Sequence, residues 1–177
     1  MIYVVTGNIS SGKTTLAKKI ALATKAPLLS SDTLRLKVQA QPQGAATGDE
    51  FLLMRQLAYT AALHKLDIVL DSTGMSYRFR NLVTDLRRSF PNQIFHIRLH
   101  CDRDTWYYRE MSRDDRGPIS EKFYEESDNV AWDVYPDMTI NSNKDVFPFV
   151  IQELAARKYR FFRNTAIVEP FYAPPRK

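Results

Sequence analysis

A glycine-rich segment near the amino terminus constrains the fold more than any other part of the chain. Residues 7–14 fit the phosphate-binding pattern G-x-x-x-x-G-K-[ST] without a mismatch. The apolar run 2–6 before it is typical of a buried parallel strand, and residues 15–23 after it have the spacing of a helix with one buried face. A strand, a glycine turn and a helix in this order surround phosphate oxygens with backbone N–H groups. The segment therefore predicts a nucleotide site on an α/β scaffold, and a chance match is the alternative.

The residues of this loop have predicted roles toward ATP, or another nucleoside triphosphate, and Mg²⁺. Lys13 is expected to reach the β- and γ-phosphates, and the hydroxyl of Thr14 is expected to hold Mg²⁺. Further contacts with the nucleotide are predicted for Gly7, Ser10, Ser11, Gly12 and Thr15.

Strand-like and helix-like segments alternate along the rest of the chain. Strands are predicted at 27–30, 67–71, 94–99 and 138–141, and helices at 33–39, 47–65, 77–90, 102–111, 120–130 and 146–159. The helix over 47–65 opens with a capping box at Thr47 and Glu50 and is expected to bury Leu53, Leu57 and Ala61, with His64 as a further candidate. This alternation predicts an open, mostly parallel sheet of the P-loop NTPase type with helices on both faces.

Composition narrows the class of protein further. A chain of 177 residues with 44% apolar residues predicts one domain with a substantial core. Cys101 is the sole cysteine, so no intrachain disulfide is possible. The chain has no apolar run of membrane-spanning length, and its first strand begins at residue 2, so neither a membrane contact nor a signal peptide is expected. We therefore expect a cytoplasmic protein, and the sequence leaves its oligomeric state open.

The excess positive charge lies in the C-terminal segment. Residues 157–177 hold six of the 25 basic residues and one of the 20 acidic residues, which leaves the rest of the chain balanced. Five aromatic residues are interleaved with these basic residues. This pattern is typical of a surface that binds nucleic acid, although packing of the aromatic rings onto the domain explains it equally well.

Asp32 and Arg35 follow the second predicted strand and lie one helical turn apart. Beside a phosphate loop, the carboxylate is placed to accept a proton from an attacking hydroxyl. The planar guanidinium is suited to an anionic group next to that hydroxyl. An aspartate that only caps the helix, with an exposed arginine, is the alternative.

Asp71 ends the third predicted strand, next to the phosphate loop in a parallel sheet. An acid in this place approaches Mg²⁺ directly or through water. Contact with the acceptor is a second possibility, and capping of the following turn is a third.

Three arginines, Arg109, Arg113 and Arg116, are spaced so that they share one face of a helix. Phosphoryl transfer needs cations on the γ-phosphate. The spacing therefore predicts an arginine-rich helical lid over about residues 109–121, and a solvated charged helix is the alternative.

Taken in order, these motifs resemble those of the 5′-hydroxyl polynucleotide kinases, which are the kinase domains of phage and bacterial nucleic-acid end-repair enzymes. The resemblance covers roughly residues 1–130 and rests on the phosphate loop, Ser30-Ser31-Asp32-x-x-Arg35, Thr47-Gly48, Asp71-Ser72-Thr73 and the arginine series. The chain departs from the family pattern at Gly74, where the family often has asparagine. No phosphatase, ligase or methyltransferase segment follows, so a stand-alone kinase is expected.

The resemblance implies ATP-dependent phosphorylation of the 5′-OH ends of DNA or RNA, with 5′-OH nucleic acid as the partner. It implies catalytic roles for Lys13, Asp32 as general base, Arg35 and Arg113, and donor contacts for Arg109, Arg113 and Arg116. Acceptor contacts are implied for Asp32, Arg35, Asp71, Thr73 and Arg80. A kinase domain is then predicted over residues 1–159 and a basic, aromatic tail over 160–177.

Two other functions stay open from the sequence. The first is a P-loop kinase of a small molecule such as a nucleoside, a sugar or an antibiotic, since Asp-x-x-Arg also occurs in such kinases. The second is a switch that hydrolyses a nucleotide and transfers nothing.

Overall fold

The computed structural model describes residues 1–40, 49–113, 119–130, 135–143 and 146–165, with side chains described as far as residue 156. Strands and helices alternate along these residues, as the sequence predicts. The strands are β1 (Ile2–Gly7), β2 (Leu28–Ser30), β3 (Ile68–Asp71), β4 (Ile94–His100) and β5 (Met138–Asn141). The helices are α1 (Lys13–Thr24), α2 (Ser31–Gln39), α3 (Asp49–Leu63), α4 (Tyr77–Ser89), α5 (Arg103–Met111), α6 (Glu121–Asp128) and α7 (Phe147–Thr165).

The five strands form one parallel sheet with the order β2-β3-β1-β4-β5. The first strand lies at its centre, and all six of its residues are buried. Val5 of β1 is paired with Asp71 of β3 and with Ile97 of β4. The loop that follows β1 therefore leaves the middle of the carboxyl edge, between the ends of β3 and β4.

Helices cover both faces of this sheet. On one face, Val4 of β1 and Leu70 of β3 share a buried cluster with Met54 of α3 and Phe79 of α4. On the other face, α1 packs against β1 and β3 and buries Leu16 and Ile20. The predicted P-loop NTPase-type architecture is confirmed.

The buried face of α3 differs from the prediction. Leu53, Leu57 and His64 are exposed. Ala61 is buried as predicted, and it shares the buried face with Phe51, Met54 and Ala58. The helix thus faces the sheet with alanine, phenylalanine and methionine side chains and not with its leucines. The predicted capping residue Thr47 lies outside the described residues.

The chain divides into two compact units, Met1–Val146 and Phe147–Lys177. The first unit holds the sheet and the helices α1 to α6, and the second holds α7, which continues past its predicted end at residue 159. The role of the basic, aromatic tail stays a prediction, because its side chains lie outside the described residues. None of the helices in the described part of the chain is long and apolar enough to cross a membrane.

We predict that His96 makes the fold sensitive to acid. It is fully buried on β4, and its Nε2 lies 2.8 Å from Oγ1 of Thr6. Burial, followed by the charge of Arg87, lowers the pKa of His96 to about 3. The unfolded chain takes up this proton near pH 6.5, so the free energy of unfolding should fall as the pH drops from about 6.5 toward 3.

Urea unfolding of the wild type and of His96→Gln at pH 7 and pH 5 checks this prediction. The variant should lose less stability than the wild type between the two pH values. The exposed His64 provides the control, since His64→Gln should keep the wild-type decline. An undiminished decline in His96→Gln would show that another group carries the acid sensitivity.

Candidate active site

The loop between β1 and α1 can have this shape only because of its two motif glycines. A Cβ atom on Gly7 would lie 2.2 Å from the carbonyl oxygen of Leu99 and 2.7 Å from Oγ of Ser11. Gly12 has a φ of 85°, in the left-handed region, directly before α1 begins at Lys13. The chain therefore turns from the central strand straight into a helix whose N-terminal N–H groups are suited to phosphate.

The ends of β3 and α1 meet through a hydrogen bond between side chains. Oγ1 of Thr14 donates to Oδ2 of Asp71 over 2.8 Å. Asp71 is buried, and its Oδ1 makes no hydrogen bond within the described part of the chain. A threonine hydroxyl and a carboxylate with a buried, unused oxygen are hard oxygen ligands, which fit Mg²⁺. Asp71 thus joins Thr14 as a candidate magnesium residue.

The charge state of Asp71 depends on what surrounds it. Burial raises the pKa of Asp71 above its ordinary value, and the charge of Lys13 and the hydrogen bond from Thr14 oppose this rise. A divalent cation at this carboxylate would favour the ionised form in the same way as Lys13 does.

One cleft of 690 Å³ connects the phosphate loop with the start of α2. Its lining includes Lys13 and Thr14 on one side and Asp32 on the other. The side chain of Asp32 is 69% exposed, so a molecule in the cleft can reach its carboxylate. The structure therefore brings together the predicted donor residues and the predicted general base.

Arg35 lies between two carboxylates. Its Nη2 is 3.5 Å from Oδ1 of Asp32, and its Nε donates to Oε1 of Glu50 over 3.3 Å. The Glu50 side chain is almost fully buried, so it needs a positive partner. From the sequence, Glu50 was expected only to cap α3. A lone glutamate among the buried positions of α3 was the signal for this second role.

The arginine series departs from its prediction. The helix α5 ends at Met111, so Arg113 follows the helix and does not share a helical face with Arg109. Arg109 donates to the backbone oxygens of Ser10 and Ser142, over 3.3 and 2.6 Å. Arg109 and Arg113 both line the cleft, whereas Arg116 and part of the predicted lid lie outside the described residues.

Two predicted acceptor residues contact the loop after β3, Thr73 from within the loop and Arg80 from the first turn of α4. Nη1 of Arg80 donates to the carbonyl oxygens of Gly74 and Met75, over 3.1 and 2.6 Å. Oγ1 of Thr73 accepts from the backbone N–H of Met75. Both side chains therefore shape this loop, and neither lines the cleft at Lys13. Their contact with an acceptor stays a prediction.

The sequence matches a known family over most of its length. Residues 2–129 match the family described as an AAA domain, so the chain belongs to that family. No curated protein matches the sequence.

Solved structures of kinases share the fold over most of their length. A gluconokinase from Sinorhizobium meliloti 1021 is 17% identical over 94% of this chain and 97% of its own, with a TM-score of 0.61. A putative kinase from Chloroflexus aurantiacus is 19% identical over 88% of this chain and 96% of its own, with a TM-score of 0.62. The Mycobacterium tuberculosis APS kinase, in complex with AMPPNP and APS, is 16% identical over 89% and 96%, with a TM-score of 0.53. At these identities the likeness establishes the fold alone.

We predict that Asp71→Asn stabilises the unliganded protein at neutral pH. The raised pKa of Asp71 means that its buried charge opposes folding above that pKa, and asparagine removes the charge while keeping the shape. The gain should shrink as the pH falls through the raised pKa of Asp71, and it should vanish only below about pH 4, where the carboxyl group becomes neutral in the unfolded chain as well.

Thermal melting without nucleotide at pH 7 and pH 4 measures this difference. The same change at Asp104, an exposed residue of α5, is the control and should leave the melting temperature nearly unchanged. A lower melting temperature for Asp71→Asn at pH 7 would mean that the ionised carboxylate stabilises the unliganded fold.

Proposed function

We propose that the protein is a P-loop phosphotransferase that moves the γ-phosphate of ATP onto a hydroxyl group of a small molecule. The observation that carries this proposal is the single cleft shared by Lys13, Thr14 and the exposed carboxylate of Asp32. A phosphate loop alone would suit hydrolysis equally well. A reachable carboxylate facing the loop suits an acceptor hydroxyl that must lose its proton.

The chemistry follows from the positions of these groups. The acceptor oxygen attacks the γ-phosphorus, its proton passes to a carboxylate oxygen of Asp32, and the bond to the β-phosphate oxygen breaks to release ADP. Lys13 and the two cleft arginines stabilise the negative charge on the transferring group. Thr14 and Asp71 would hold Mg²⁺, which neutralises phosphate charge when it is bound.

Three observations support a small acceptor. The cleft is bounded on the acceptor side by the start of α2, including Thr33 and Leu36, and does not include Arg35. The charge of Arg35 is shared between Asp32 and Glu50, which leaves less of it for a nucleic-acid phosphate. The gluconokinase and APS kinase folds are also matched almost end to end.

A 5′-OH nucleic acid remains the second candidate acceptor. The observation in its favour is the contact of Arg35 with Asp32, which keeps the arginine beside the proposed base. An acceptor with a phosphate next to its hydroxyl could draw Arg35 away from Glu50 and toward the cleft.

Transfer of label from γ-labelled ATP with Mg²⁺ tests the proposal. The acceptors to compare are sugars, sugar acids, nucleosides and a single-stranded 5′-OH oligonucleotide. Label should appear on a small acceptor. Label on the oligonucleotide alone would favour the polynucleotide kinase, and release of inorganic phosphate with every acceptor would favour the hydrolysing switch.

We predict that Asp32→Asn lowers turnover by roughly 10²–10⁴-fold while ATP affinity stays close to that of the wild type. Asparagine keeps the size and hydrogen bonding of the side chain but cannot take the proton. Turnover at saturating substrate and ATP binding by titration are measured on the same preparation, with Asp104→Asn as the control. A parallel loss of ATP affinity would place Asp32 with the metal and not with the acceptor.

A further inference from the structure

Ser10 is an unusual residue for its place in the phosphate loop. Its φ is 57°, in the left-handed region that residues with a Cβ atom rarely occupy. Gly7 and Gly12 provide the flexible ends of the loop, but Ser10 adopts this turn without being glycine. Such a conformation persists where the surroundings hold it in place.

A buried carboxylate makes a hydrogen bond with the side chain of Ser10. Oγ of Ser10 donates to Oε2 of Glu110 over 2.5 Å, and the backbone N–H of Ile119 donates to Oε1 over 3.1 Å. Glu110 is 3% exposed. A buried negative charge touching a loop that receives phosphates is electrostatically unfavourable for binding, so its presence there calls for a compensating role.

The two cleft arginines converge on the same serine. Nη1 of Arg109 lies 3.3 Å from the carbonyl oxygen of Ser10, and Nη1 of Arg113 lies 3.5 Å from its hydroxyl oxygen. Both arginines flank Glu110 in the chain. Ser10 thus contacts the carboxylate of Glu110 and the guanidinium groups of both arginines.

We propose that Glu110 is a positioning residue for the donor nucleotide and acts through Ser10. The carboxylate fixes the left-handed turn, so that the N–H groups of the loop stay directed at the phosphates. It also keeps Arg109 and Arg113 beside that loop. Glu110 itself does not touch the nucleotide. This inference rests on the proposed function, since it assumes that the loop binds a triphosphate.

Binding of a fluorescent ATP analogue, with thermal melting measured in parallel, tests the inference. Ser10→Ala keeps the Cβ atom in the left-handed turn but removes the anchor, and should weaken binding by roughly tenfold. Ser10→Gly also lacks the anchor but adopts the turn unaided, so it should bind more tightly than Ser10→Ala. Ser112→Ala, which removes an exposed hydroxyl at the end of α5, is the control and should bind as the wild type does.

The carboxylate provides the second arm of the experiment. Glu110→Gln can accept from the N–H of Ile119 with its amide oxygen and can donate to Oγ of Ser10 with its amide nitrogen, so it should stay within about threefold of the wild type. Glu110→Ala should match Ser10→Ala. The double variant, Ser10→Ala with Glu110→Ala, should then bind the ATP analogue no more weakly than either single variant. Exposed Glu125 serves as the matched control through Glu125→Ala. In transfer assays the loss should raise the KM for ATP and leave the KM for the acceptor unchanged.

Three results would overturn the inference: wild-type affinity in Ser10→Ala, no gain from glycine over alanine, or additive losses in the double variant. If Glu110→Ala does not fold, the comparison of alanine with glycine at position 10 still decides the matter. Lys13→Ala separates this test from that of the proposed function. Loss of binding in Lys13→Ala, with wild-type binding in Ser10→Ala, would refute the role of Glu110 alone. Unchanged binding in both would refute the nucleotide site as well.

Discussion

The close approach of Gly7 to the carbonyl oxygen of Leu99 is the contact on which the rest of the site depends. At 2.2 Å, a Cβ atom would have no room there, so the central strand can turn at this point only with glycine. Because the turn begins at the centre of the sheet, the loop passes beside the end of β3 before α1 begins at Lys13. Thr14 then lies within hydrogen-bond distance of Asp71, and the acceptor side of the cleft lies across the neighbouring strand β2.

In the proposed function, carboxylates of the same chemistry have different tasks around this loop because their surroundings differ. Asp32 is exposed and can exchange a proton with a molecule in the cleft. Asp71 is buried with one unused oxygen, and its raised pKa is relieved by positive charge, as a metal ligand requires. Glu50 and Glu110 are buried with partners already in place, Arg35 for the first and Ser10 for the second. The surroundings of each carboxylate, and not its residue type, therefore determine whether we propose it as the general base, as a metal ligand or as a residue that supports another side chain.

The sequence predicted the features that depend on local chemistry and missed those that depend on packing between distant segments. Sequence motifs and hydrophobic periodicity predicted the phosphate loop, the alternation of strands and helices along the chain, and the acids at the strand ends. The fold confirmed these three features. The predicted burial of Leu53 and Leu57 was wrong. Leucines lie along one side of α3 and alanines along another, and the side with the alanines faces the sheet. The shared helical face of the arginines was wrong because α5 ends at Met111. The contact between Ser10 and Glu110 joins residues 100 positions apart, which no local pattern records.

In the proposed function, one cleft aligns the donor phosphates with the carboxylate of Asp32. A crystal structure with a non-hydrolysable ATP analogue and Mg²⁺ would reveal this alignment. The β- and γ-phosphates should lie within the loop of residues 7–14, the metal should contact Thr14, and the γ-phosphate should face Asp32 across the cleft. A triphosphate bound outside this loop, or one whose γ-phosphate faces away from Asp32, would contradict the proposed function.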